Sequence, residues 1–159
     1  MVPMSVEEIA KAVDGRLIGD ADSESRATNT VSDSRQAGPG SVFVAIRGER
    51  VDGHDFVAKT AEQGATVAIV DHEVESDGLP QIVVKDTVDA LGELARHNIV
   101  RRRELDGDFD IIGLTGSVGK TTTKDLLSSL LATVGPTVAP VGSFNNEIGL
   151  PLTALRVDE

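Results

Sequence analysis

The stretch from Phe109 to Leu131, FDIIGLTGSVGKTTTKDLLSSLL, constrains the fold more than any other part of the chain. Phe109 to Leu114 is a short, Ile-rich apolar run of the kind that forms a strand buried on both faces. Small residues follow at once, and then a helical pattern in which Leu126, Leu127, Leu130 and Leu131 gather on one side for packing against a sheet. Strand, tight loop and helix in this order predict the opening unit of a parallel α/β sheet.

The loop carries chemistry. Gly116 and Gly119 let the backbone turn sharply, so that the N–H groups of Gly116, Ser117, Val118, Gly119 and Lys120 can converge on one anion. The helix N-terminus adds partial positive charge, and Lys120 adds a full one. Thr121, with Thr122 beside it, stands where such loops hold Mg²⁺ through a hydroxyl. The common pattern G-x-x-x-x-G-K-[ST] asks for one more glycine, at the position of Leu114. Despite that departure, the agreement of strand, two glycines, Lys, Thr and amphipathic helix in order and spacing favours a phosphate-binding loop over a turn with an incidental lysine.

Composition narrows the classes. At 159 residues and 40% hydrophobic content, the chain fits one medium domain or two small ones with an ordinary core. No apolar run approaches the roughly 20 residues that span a bilayer, and MVPMSVEEIA is acidic rather than a basic leader, so a cytoplasmic location is expected. Without cysteine there is no disulfide, thiol catalysis or Cys-zinc site. His54, His72 and His97 have no metal-ligand spacing. A net charge of −11 with 3% aromatic residues argues against nucleic acid, which calls for a basic face and stacking rings.

Along the chain, Ser5 to Glu8 reads as a capping box, with Val6, Ile9, Ala10 and Val13 on one helical face until Gly15. Arg26 to Val31 and Ser41 to Ile46 read as strands, Asp55 as the cap of a helix ending at Gly64, and Thr66 to Val70 and Gln81 to Val84 as further buried strands. Asp86 to about Arg103 is a long helix with Val88, Leu91, Ala95 and Ile99 inward. After the lysine loop come a strand-like Thr137 to Val141 and a helix near Pro151. The layout suggests two units: a small α/β domain, residues 1–84, and the beginning of a parallel-sheet ATPase domain, residues 85–159, whose sheet needs more strands than follow Lys120.

Two loops remain. In DSRQAGPGSVFVAIRGERVDGHDF, residues 33–56, Ser34, Arg35, Arg47 and His54 flank turn-forming glycines at strand ends. They are either binding residues on a rigid scaffold or parts of the turns. In GSFNNEIG, Asn145 and Asn146 are turn formers or amides aimed at a ligand, and the local pattern favours turns.

Taken together, TGSVGKTTTKDLL, FNNEIGLPLTALR, the 33–56 segment and VVKDTVDALGELA closely resemble the Mur ligase family of peptidoglycan synthesis, over almost the entire chain. That family uses the G-x-x-G-K-T-T form, which accounts for Leu114. The N-N-E-I-G-x-P segment resembles the member that joins D-Ala-D-Ala to UDP-N-acetylmuramoyl-tripeptide. The resemblance implies three domains, the last two binding ATP and the amino-acid substrate, with this chain as the front third of a longer enzyme and inactive alone. Gly116 to Thr122 would bind ATP, with Lys120 as the catalytic cation on the β and γ phosphates and Thr121 on Mg²⁺. Ser34, Arg35, Arg47 and His54 would lie near the uridine nucleotide, and Asn145 and Asn146 where nucleotide and peptide meet. A self-contained kinase or GTPase would need an apolar strand ending in Asp, or N-K-x-D, after Lys120, and neither follows. A non-catalytic UDP-sugar-binding module is the other alternative.

Overall fold

The computed structural model describes residues 1–142 and 146–158. Its centre is a five-stranded sheet in the order β1-β5-β4-β3-β2, built from β1 (Arg16–Ile18), β2 (Asn29–Val31), β3 (Ser41–Val44), β4 (Val67–Val70) and β5 (Gln81–Val83). Strands β2 to β5 run parallel, and β1 closes one edge antiparallel to β5, pairing Leu17 with Ile82. The sequence reading passed over β1, whose three residues are too few to show a period.

Because successive side chains in a strand point to opposite faces, the β-branched runs supply two cores. Val42, Val44, Val67, Ile69 and Ile82 face α1 (Val6–Ala12) and α3 (Thr87–Glu104), together with Ile9, Leu91 and Leu94. Phe43, Ala45, Ala68 and Val70 face the other way, against Val57 of α2 (Val57–Glu62). Helices thus cover both faces of the sheet.

The helices start where the chemistry asks. Ser5 Oγ accepts the N–H of Glu8, and Asp86 accepts those of Val88 and Asp89. The inner face of α3 is Ala90, Leu91, Leu94, Ala95 and Asn98; Val88 and Ile99, expected there, are half-buried. Asp55 is not a cap: Asp52 caps a 3-10 turn, Gly53–Phe56, which leads into α2. The chain there tightens before it becomes α-helical.

From Leu105 onward the expectations meet a different environment. Phe109 to Leu114 does not form the expected strand, and Ile111 and Ile112 are 55% and 54% exposed. Thr137 to Val141 is likewise not a strand. A parallel strand is stable only between neighbours that satisfy its N–H and C=O groups, and the five-stranded sheet offers none here. Helix α4 (Lys120–Leu131) forms as predicted, yet none of its residues is buried; Leu126 and Leu130 are 68% and 63% exposed. Helix α5 (Gly149–Ala154) does find a partner, lying along α3 and sending Leu155 into the core.

Candidate functional site

The first locus is the glycine turn before α4. Gly116 and Gly119 have φ of 146° and 81°, left-handed backbone that favours glycine, and Gly119 is the residue from which α4 starts. A Cβ at Gly119 would meet nothing within 4 Å, so its positive φ, rather than crowding, is what calls for glycine. Lys120 curls back so that Nζ donates to the carbonyl of Gly116, drawing the ammonium over the mouth of the turn. Val118 is 92% exposed at the tip, and Thr121 and Thr122 are exposed in the first turn of α4. An open turn, a helix N-terminus and an ammonium on one side match a phosphate ester in shape and charge. The hydroxyl of Thr121, a hard oxygen donor next to that turn, fits a magnesium ion shared with phosphate oxygens.

The second locus lies where the parallel strands end at their carboxyl ends, the usual place for ligands in open α/β sheets. After β2, Asp33 caps a 3-10 turn, Ser34–Gln36, in which Ser34 is buried. Arg35 is exposed and folds back on Asp33, with contacts of 2.6 to 3.1 Å. The Arg35 side chain and backbone bonds hold the Asp33 carboxyl at about 2. That ion pair lies in water and screens readily, so the guanidinium is free to exchange Asp33 for a better anion.

After β3, the chain makes a tight hairpin in which Arg47 pairs with Asp52 and the N–H of Gly53 bonds to the carbonyl of Ile46. A Cβ on Gly53 would come within 2.7 Å of the Ile46 nitrogen, so only glycine closes the hairpin this tightly. Arg47 reaches Asp71 Oδ1 at 3.1 Å and Asp52 Oδ2 at 3.4 Å. His54 is buried, with Nδ1 2.6 Å from Asp52 Oδ1 and Nε2 accepting the N–H of Asp71 at 3.0 Å. Since Nε2 accepts, the ring proton sits on Nδ1 and is donated to Asp52. His72 stacks on His54 at 4.6 Å between centroids and also bonds to Asp71.

The acids respond to this setting. The backbone N–H of His54, followed by its ring, holds Asp52 below the ordinary carboxylate value. Burial works to raise Asp71, but the His72 hydrogen bond and the nearby Arg47 guanidinium outweigh it and keep the carboxyl low. His54, Asp71 and His72 offer donor atoms within 4.8 Å of one another. A metal would need the Nε2 lone pair already given to Asp71 N–H, so the trio is a hydrogen-bond cluster and not a ligand set.

The structure therefore brings Arg47 and His54 together through Asp52 and Asp71, while Ser34 and Arg35 form a separate turn. The sequence offers Asp52 only as a turn former and His72 only as a histidine without metal-ligand spacing, and it does not single out Asp71. The available signal was position, since Asp71 and His72 directly follow the buried run Thr66 to Val70, where strand-end loops begin. Asn146 caps α5, its Oδ1 accepting the N–H of Gly149 at 2.7 Å; Asn145 lies outside the described residues.

Comparison with known proteins adds an independent line. A model of the Mur ligase family, catalytic domain, matches residues 27–99, and one of the Mur ligase middle domain matches residues 114–159. UDP-N-acetylmuramoyl-tripeptide–D-alanyl-D-alanine ligases of Mycobacterium tuberculosis and Escherichia coli are each 38% identical, over 98% and 99% of this chain and 34% and 33% of their own. A crystal structure of MurF from Acinetobacter baumannii superposes with a TM-score of 0.83 at 36% identity, covering 98% of this chain and 33% of that one. The MurF ligase of Thermotoga maritima in complex with ADP superposes with a TM-score of 0.67 at 37% identity, over 81% of this chain and 29% of that one. The chain spans about a third of the length of the curated relatives it matches.

Proposed function

Because this chain belongs to the Mur ligase family, we propose that it carries the nucleotide-handling part of an ATP-dependent ligase that joins D-Ala-D-Ala to UDP-N-acetylmuramoyl-tripeptide. In this reading residues 1–84 hold the UDP end of the substrate and residues 85–159 begin the ATP-binding part, with α3 packed on the first while leading into the second. The observation that carries the reading is the turn from Gly116 to Lys120, with two left-handed glycines at the start of a helix and an ammonium over its mouth. The ADP bound in the Thermotoga maritima relative supports ATP as the nucleotide.

The roles follow from charge and position. Backbone N–H groups of Gly116 to Lys120, with Ser117 and Val118 at the tip, would cradle the phosphates, Lys120 would neutralise the transferring group, and Thr121 and Thr122 would face its oxygens. Magnesium, held in part by Thr121, would supply further charge neutralisation. In the complete reaction the tripeptide carboxylate takes the γ-phosphoryl group to give an acyl phosphate, and the amine of D-Ala-D-Ala displaces phosphate to leave an amide. Arg35 and Arg47 would meet the diphosphate of the UDP substrate by exchanging carboxylate partners, with Ser34 and His54 shaping the loops around them and Asn145 and Asn146 bordering the peptide end. Such an enzyme works in the cytoplasm, where its nucleotide substrates are made. Among the described residues no helix is long and apolar enough to cross a membrane.

The test joins this chain to the remaining two thirds of the Escherichia coli relative. The chimera should release phosphate only when both UDP-N-acetylmuramoyl-tripeptide and D-Ala-D-Ala are present, whereas the chain by itself should bind UDP-substrate without turnover. Phosphate release that ignores D-Ala-D-Ala would refute the ligase reading. Failure of the chain to bind UDP-substrate in calorimetry would refute the assignment of residues 1–84.

A further inference from the structure

Asn98 is fully buried on the inner face of α3, an unusual place for an amide. Its Oδ1 accepts the N–H of Val2 at 2.9 Å. Its Nδ2 donates to the carbonyls of Ala154 at 3.0 Å and Val157 at 2.9 Å. The surroundings fix which way the amide points, since an N–H faces one end and two carbonyls face the other. The first carbonyl belongs to the last residue of α5, where it also receives the N–H of Val157 at 3.3 Å, and the second lies three residues past the helix end. At its opposite end, α5 is capped by Asn146 through the N–H of Gly149 at 2.7 Å.

A six-residue helix is too short to be stable by itself, so its position is set by what holds its ends. Here both ends are held by asparagine side chains, one from the loop that contains Asn146 and one from the inner face of α3, where that helix packs on the five-stranded sheet. Leu155 in the core and the hydroxyl of Thr153 on the carbonyl of Gly149 complete the fastening. We infer that Asn98 is a positioning residue for the Asn146 loop: it anchors α5 to α3 and so to the central sheet, and thereby fixes where the capped N-terminus of α5, and Asn146 with it, stands. The inference rests on the proposed role of that loop only for its functional consequence, not for its geometry.

The experiment measures amide hydrogen exchange by NMR in the isolated chain, comparing Gly149 with Ile69 in the central strand β4. In Asn98→Leu, which keeps the bulk but removes all three bonds, Gly149 should exchange at least tenfold faster than in the parent. In Leu91→Ala, a core change on the same helix that touches neither cap, Gly149 should accelerate no more than Ile69. A Gly149 rate within twofold of the parent in Asn98→Leu overturns the inference. Should that variant not fold, Asn98→Ser, which retains a single donor, is measured on the same two amides with the same criterion. Asn98→Leu in the chimeric ligase then separates geometry from function. A lower kcat at unchanged KM for ATP agrees with both, whereas unchanged turnover with a loosened Gly149 leaves the positioning role standing and overturns the reading of the loop as a substrate border.

Discussion

His54 and Asp71 are bound in a single direction: the ring nitrogen Nε2 of His54 accepts the backbone N–H of Asp71 at 3.0 Å. The bond ties the turn after β3 to the end of β4. With the proton on Nδ1 committed to Asp52, the imidazole is used at both nitrogens, as a brace between two strand-end loops.

His54→Leu should therefore destabilise the chain by about 2 kcal/mol, through the buried Asp71 N–H left without a partner and the loss of the ring's own bonds. The loop rather than the sheet should loosen first. Urea unfolding gives the first quantity, and hydrogen exchange at Asp71 the second. A variant as stable as the parent would mean that water replaces the ring without cost.

Gly53→Ala tests the hairpin behind that brace. The new methyl would stand 2.7 Å from the Ile46 nitrogen and 2.8 Å from its oxygen, both backbone atoms that cannot swing aside. A loss of about 1–3 kcal/mol is expected, the usual range for overpacking. Calorimetric binding of UDP-substrate should weaken in parallel, because Arg47 stands at the foot of the same hairpin. Equal stability and equal affinity would show that the hairpin has slack.

Lys120→Ala should leave the unfolding midpoint of the chain unchanged, since the residue is on an open turn and, among the described residues, bonds only to its own loop. In the chimeric ligase it should lower kcat by roughly a hundredfold to a thousandfold, the loss typical of one phosphate or oxyanion contact. Lys120→Arg should restore only part of this, because a broad planar fork does not fit a turn shaped around a compact ammonium. Steady-state kinetics on the two variants decides the matter; near-normal turnover in Lys120→Ala would make the turn purely structural.

Glu8 on α1 gives a pH dependence with a definite sign. Burial works to raise its carboxyl, but hydrogen bonds from Arg101 and His97 and their charges outweigh that and hold it below the usual value. A group depressed in the fold contributes stability above its unfolded pKa, about 4, and loses that contribution as the pH falls through its folded value. The parent should thus lose stability below about pH 4 more steeply than Glu8→Gln, and at neutral pH the variant should be less stable by about 1 kcal/mol. Denaturation curves between neutral pH and pH 3 test both; parallel curves would show that the α1–α3 contact carries no linkage.

What the sequence made legible follows a physical line. Val42 to Val44, Val67 to Val70 and the Asp86 cap were readable because they are local patterns whose partners lie within the same sheet. The glycine turn was readable too, since its conformation depends on Gly116, Gly119 and the helix start alone. Phe109 to Leu114 was misjudged as a strand because an apolar run specifies a buried strand only if other strands flank it. Asp52 displaced Asp55 as the cap because the hairpin at Gly53 makes the chain enter its helix three residues early, a tertiary demand that cap preferences do not contain. Asp71, His72 and Asn98 have partners 17 to 96 residues away, at distances where no periodicity carries a signal.

The exposed leucines of α4 also carry an expectation for how copies of this chain by itself meet in solution. Leu126, Leu130 and Val134 present an oily strip on a body that carries a net charge of −11, so two molecules repel over roughly 10 Å at ordinary ionic strength before the strips can touch. Adding salt shortens that reach, and acidifying toward pH 4.6 removes the charge itself. Light scattering should therefore report an attraction that grows with salt, the reverse of an association held by ion pairs, and that is relieved by Leu126→Glu with Leu130→Lys at constant net charge. Colloidal behaviour thus becomes a readout of whether α4 is covered: once its strip is packed against other chain, scattering should cease to depend on salt in this direction.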